Sequence, residues 1–266
     1  MNAPDHRSMD SQLATIEPDA LRQADRGPRL TLAEHLEELR RRLAISLAAF
    51  IVAVGISLTK AGTIIDWLRR PLGDEVVRFA FFSPTEPLIA YVNVAVLAGL
   101  ILAMPVILWQ LWGFARSGLT QRERSSSAVF VWWGSFQFLA GAAFAYYALL
   151  PVSLRVLLGI GTGLFEPMIS IDRYLSFVTT LIFWCGIVFE LPVLLFILAR
   201  IGIVTPEWLR QQRSYAILVI VIVAAIVTPT TDPINLMLLA VPIIVLYELS
   251  ILITSIGLRQ RRRPAH

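Results

Sequence analysis

The sequence predicts an all-α integral membrane protein. Three observations carry this: 56% of the 266 residues are hydrophobic and only 16% charged, mean hydropathy is +0.69, and apolar stretches of about twenty residues recur from Leu43 onward. Soluble domains run nearer 45–50% apolar and about 25% charged, whereas a run of about twenty apolar residues is the length that crosses a bilayer as a helix. Strict alternation in segments of about ten residues, the mark of a membrane β-barrel, is absent.

Residues 1–30 are polar with mixed charge, read as a disordered tail without the apolar core of a signal peptide. Thr31 and Glu34 have capping-box spacing, so a helix is expected to start there. Leu32, Leu36, Leu39 and Leu43 repeat at helical spacing and lead directly into the first apolar segment, Leu43–Thr59. Five more follow, at Leu88–Leu111, Ala128–Leu150, Leu175–Ala199, Tyr215–Val227 and Ile234–Ile256. The domain expected is a six-helix unit over 31–256, followed by a basic tail over 257–266. Between the first two segments, Ile64, Ile65, Trp67 and Leu68 among Asp66, Arg69 and Arg70 predict a short interfacial helix ended by Pro71.

The fifth segment has thirteen residues, about 20 Å of helix against an apolar core of about 30 Å. Charge argues that it crosses nonetheless. With six spans, Lys and Arg number 7, 3, 3 and 4 in the segments on one side, and 4, 2 and 0 on the other. Basic residues concentrate on the cytoplasmic side, so both termini are expected to be cytoplasmic. The net charge of +4, with Lys60 the only lysine, reflects this orientation rather than nucleic-acid binding. The short fifth helix predicts local bilayer thinning.

Little in the chain suggests catalysis. The histidines, His6, His35 and His266, all lie outside the apolar segments, and no metal-ligand cluster is evident. Gly159 to Gly163 lacks the Lys and Ser/Thr of a phosphate loop and reads as a turn. Cys185 is the single cysteine, so no intrachain disulfide can form. No enzyme activity and no cofactor are expected. Glu190 stands out, about 14 Å inside the fourth segment and two residues before Pro192. A carboxylate at that depth belongs in the protein interior or a watered cavity, and Pro192 removes a helical hydrogen bond. Gln137 and Glu248 read more readily as interhelical hydrogen-bonding groups. Glu38 and Glu123, set among arginines, read on composition as solvated or helix-paired charges, with bidentate reception of guanidinium groups as the sharper alternative.

Five motifs in order resemble one family. His35-Leu36-Glu37-Glu38-Leu39-Arg40-Arg41-Arg42 precedes the first span, and Ser83-Pro84-Thr85-Glu86 lies in the first external loop. Pro105 to Glu123 follows, with Gln110, Trp112, Phe114, Gly118 and Leu119, then Phe189-Glu190-Leu191-Pro192, and last Thr228-Pro229 with Asp232-Pro233. Together they resemble TatC, the multispanning receptor of the twin-arginine protein translocase, from about residue 31 to 256. Ser117 stands where that family usually has proline. The resemblance implies a glove-like concave bundle in the cytoplasmic membrane of a prokaryote, working in an oligomeric complex. It implies that Glu38, Arg40, Phe114 and Glu123 contact the paired-arginine signal peptides of folded cargo. Glu190 and Gln110 would be intramembrane polar positions. Single-span partner subunits would dock near the fifth helix, with Thr228, Asp232 and Pro71 as contact positions, and transport would draw on the proton gradient. The rival from another class is a proton-coupled secondary transporter relaying through Glu190; a passive membrane scaffold is the third reading.

Overall fold

A computed structural model describes residues 32–72, 79–117, 127–159, 168–227 and 233–259. Chain contacts divide into two units, Met1–Arg41 and Arg42–His266. Ten α-helices are present among the described residues: α1 Leu32–Leu58, α2 Ala61–Leu68, α3 Glu86–Ser117, α4 Ser127–Phe144, α5 Leu150–Gly159, α6 Ile171–Phe189, α7 Leu191–Ile201, α8 Pro206–Gln211, α9 Arg213–Val227 and α10 Pro233–Arg259. A π-helical turn, Ala145–Leu149, joins α4 to α5. It ends two residues before Pro151, which has no N–H to give to the preceding turn, and wide turns are a usual accommodation of such a gap. No strand forms among the described residues; the nearest approach is a bridge between Ala80 and Ser170.

Five stretches are long and apolar enough to cross a membrane: Leu36–Leu58, Glu86–Phe114, Val131–Gly159, Ile171–Ala199 and Leu236–Ile256. They coincide with five of the six expected segments, the third continuing past Leu150 to Gly159. The remaining one, α9, has 15 residues, about 22 Å of helix.

The core of the second unit is built where α4 packs on α3 and α6, and α7 packs on α10. Fully buried Val94, Phe138, Leu149, Leu175, Val178 and Ile243 fill it. Two glycines set the closest approaches. At Gly99 of α3 the backbone of α1 at Val54 runs so near that a Cβ would stand 2.8 Å from the Val54 Cα. At Gly141 of α4 a Cβ would stand 2.7 Å from the Cys185 carbonyl oxygen of α6. Since α1 meets α3 at Val54–Gly99 and again at Arg42–Gln110, the two helices run antiparallel.

The interfacial helix is present as α2, but it ends at Leu68, and Pro71 lies inside the following 3-10 turn Arg70–Leu72. The stop is made by two tyrosines: Tyr146 Oη donates to the Trp67 carbonyl and Tyr174 Oη to the Leu68 carbonyl, both at 2.8 Å. These satisfy two of the carbonyls that a helix C-terminus leaves open. Downstream, the first loop is tied to α6: Ala80 and Ile171 exchange backbone bonds with residues 169 and 80. Ser170 caps α6 by accepting from the Arg173 N–H while its hydroxyl donates to Glu86 Oε2 at 3.0 Å.

The short α8 was not anticipated. Its signals stand in the sequence: Gly202 takes φ 87° to end α7, Thr205 caps α8 by accepting from the Trp208 N–H, and Pro206 opens it.

Candidate functional site

Pro192 does more than bend the fourth span. Its helix ends at Phe189, Glu190 is the joint, and a new helix opens at Leu191 with Pro192 in its first turn, where the missing N–H is harmless. The Glu190 N–H bonds to the Ile187 carbonyl at 3.0 Å, and its own carbonyl receives the Leu194 N–H at 2.9 Å. The break aims the carboxylate at α4. A Cβ on Gly134 would stand 3.3 Å from Glu190 Oε2 and 2.7 Å from Leu108 of α3, so the acid lies in a slot kept open by a missing side chain. Both carboxylate oxygens are buried with no hydrogen-bond partner among the described residues, as are Ser135 Oγ and Gln137 Oε1. Gly134, Gln137, Phe138 and Gly141 share one face of α4 at helical spacing. Gly186 of α6 packs on Phe138 of that face. Gln137, expected as an intramembrane polar position, is thus buried on the same face of α4 as Gly134, which borders Glu190.

Gln110 behaves differently. Arg42 of α1 donates from Nη1 to Gln110 Oε1 at 3.4 Å, and the same guanidinium lies over Gly113, leaving no room for a Cβ. Trp112, 3% exposed, packs with Val193 and Ile197 of α7. This end of α3 is therefore held from two sides, by α1 and α7, and Phe114 is half-buried one turn beyond Gln110. Arg42 and Gly113 were missed as site residues; the charge run and the glycine are visible in sequence, but their approach across 71 positions is not.

Glu38 is half-buried and Arg40 exposed on α1 in the first unit. Glu123, Thr228 and Asp232 lie outside the described residues. Glu248 is no unpaired intramembrane acid: it accepts from Arg213 at 2.7 Å, with both side chains nearly half exposed. Pro71 is half-buried beside α2, at the opposite end of α3 from Gln110. Gly62 of α2 approaches the Tyr91 hydroxyl, and Tyr91 to Gln110 is about 28 Å along the helix. Among the described residues no cluster of three His, Cys, Asp or Glu could hold a metal.

Residues 34–242 match the family model of the Sec-independent protein translocase protein TatC. The chain belongs to the TatC family. It is 37% identical over 237 residues to the TatC of Aquifex aeolicus, covering 88% of this chain and 98% of that protein. It is 39% identical to the TatC of Koribacter versatilis, covering 84% of each. A crystal structure of a twin arginine translocase receptor TatC, in the detergent DDM, superposes with a TM-score of 0.75 at 38% identity, covering 83% of this chain and 99% of that one. Membership in the TatC family makes the chain a membrane component of Tat protein translocation, acting in a complex with other Tat subunits. It belongs to the protein-transport machinery.

Proposed function

We propose that this TatC protein is the receptor of the translocase, reading the paired arginines of signal peptides on folded cargo at the cytoplasmic face. The likeness to a solved structure named as the twin arginine translocase receptor, over 83% of the chain, carries the reading. Glu38 and Glu123 supply carboxylates for two guanidinium forks, Phe114 supplies an apolar and cation–π wall, and Arg40 completes the contact set. The anchoring of the α3 end by Arg42 and Trp112 supports a preorganised position for Phe114. The apolar part of the signal then inserts toward Glu190, and the proton gradient drives export. The chain spans the inner membrane six times, α9 included, with both termini cytoplasmic, a reading that the excess of basic residues on that side supports. Partner subunits of one span dock at the short α9, with Thr228, Asp232 and Pro71 as contacts.

The test places a photo-crosslinker at Phe114 and compares folded cargo bearing twin-Arg and twin-Lys signals. Lysine keeps the charge and loses the planar fork. Strong crosslinking that falls sharply with lysine is expected; equal crosslinking refutes bidentate recognition. The second reading, a proton-coupled transporter, has the buried Glu190 carboxylate in its favour. It requires small-molecule flux in liposomes holding this chain alone.

A further inference from the structure

Beside α2 a cavity of about 240 Å³ lies between α2, α3, α4 and α6. Trp67, Tyr146 and Tyr147 stand at one end, and Leu97, Ile101 and Leu139 line its depth. Trp67 and Tyr146 stack at 3.9 Å with ring planes 14° apart, and Tyr147 meets them edge-on. The cavity opens away from the core, because Leu139 is 50% and Tyr147 69% exposed. From Val94 to Ile101 it runs about 10 Å along α3. Its walls are apolar except for the aromatic rim, and its volume holds about eight water-sized groups in a file. A narrow apolar slot about 10 Å long takes part of one acyl chain along its length.

The charge around this cavity is unusual for its position. Lys60 precedes α2, and Arg69 and Arg70 follow it, on the side of the membrane where basic residues are otherwise scarce. Arg70 lies within electrostatic range of the Tyr146 hydroxyl at the rim. Arg69 lies 3.9 Å from Asp66, and both side chains are largely exposed. Both guanidiniums sit one residue or two beyond Leu68, which lines the cavity. An apolar slot with a basic rim at the interface complements a lipid having an anionic head.

We propose that this cavity is a binding site for one anionic phospholipid, an acyl chain lying against Leu97, Ile101 and Leu139 and the phosphate held by Arg70 with Arg69. The lipid would fill the gap between α2 and the bundle, and so fix the interfacial helix to α3 and α4. Its assignment to the outer leaflet rests on the orientation proposed above. Binding itself is measured in detergent micelles, which have no sides, and with no signal peptide present, so it stands or falls apart from the receptor reading.

The experiment is native mass spectrometry of the full chain in mixed micelles with phosphatidylglycerol and phosphatidylcholine of identical acyl chains. Retention of one phosphatidylglycerol is expected, preferred over phosphatidylcholine by roughly tenfold, the order set by one or two basic residues near a lipid head. Arg69→Gln with Arg70→Gln is expected to bring that preference close to unity. Ala143→Phe, at an exposed lining position, is expected to abolish retention of both lipids; Leu139→Trp on the exposed lip is the second filling variant. Equal retention of the two lipids by the unaltered chain overturns the proposal. So does a preference that survives both the charge change and the filling of the cavity in variants whose unfolding midpoint is unchanged.

Discussion

Gly99 and Gly55 are both helical glycines near the α1–α3 contact, and the structure assigns opposite signs to the same substitution at each. A Cβ at Gly99 would lie 2.6 Å from Val54 Cγ2 and 2.8 Å from its Cα and N. Two of those atoms are backbone, so no rotamer change relieves the clash. Carbon atoms rest at 3.5–4.0 Å, so α1 and α3 must separate by about 1 Å along the contact. Overpacking of this kind costs about 1–3 kcal/mol, and at about 2 kcal/mol the unfolding midpoint of a chain this long falls by roughly 4–8 °C. At Gly55, one residue from Val54 but on an exposed face, a Cβ meets nothing within 4 Å. There alanine gains about 0.5–1 kcal/mol through lost backbone freedom in the unfolded chain. Thermal unfolding of Gly99→Ala and Gly55→Ala in one detergent measures both. A midpoint for Gly99→Ala equal to that of the parent chain would refute the close crossing of α1 and α3.

The buried Glu190 carboxylate makes no hydrogen bond among the described residues, so Glu190→Leu is expected to raise stability by about 1–3 kcal/mol, the cost of an unsatisfied buried polar group, while export of twin-arginine cargo falls. A lowered midpoint would mean that the acid has a partner holding it in place. Ser170→Ala removes both the α6 cap and the bond to Glu86, with an expected loss of about 1–2 kcal/mol in thermal unfolding. Ser170→Asp keeps a capping oxygen but sets a second carboxylate against Glu86, so it is expected to be no better than alanine; full stability of the aspartate variant would refute the Ser170–Glu86 contact.

Five of the long helices were legible because each is specified by its own residues: about twenty apolar side chains in succession need a helix to satisfy their backbone inside a bilayer. A kink near Glu190 was legible for a similar reason, since Pro192 lacks the N–H that a continuous helix requires, but the full break into two helices was not. The end of α2 was read two to three residues late. Pro71 was the visible stop, but the carbonyls of Trp67 and Leu68 are taken by Tyr146 and Tyr174, 79 and 106 residues away. The short α8 has local signals in Thr205-Pro206, a capping residue followed by proline in the first turn.

Sequence by itself determined the membrane class, the helical segments, the family motifs and the exceptional position of Glu190, because these follow from local composition and spacing. Tertiary structure decided what each polar group faces. It laid Arg42 over Gly113 and against Gln110, turned Glu248 to Arg213, and set Glu190 in the slot that Gly134 leaves beside Leu108. Between tightly packed helices, which backbone can approach which depends on where side chains are missing. That depends on the register of two helices together, which neither sequence segment contains alone.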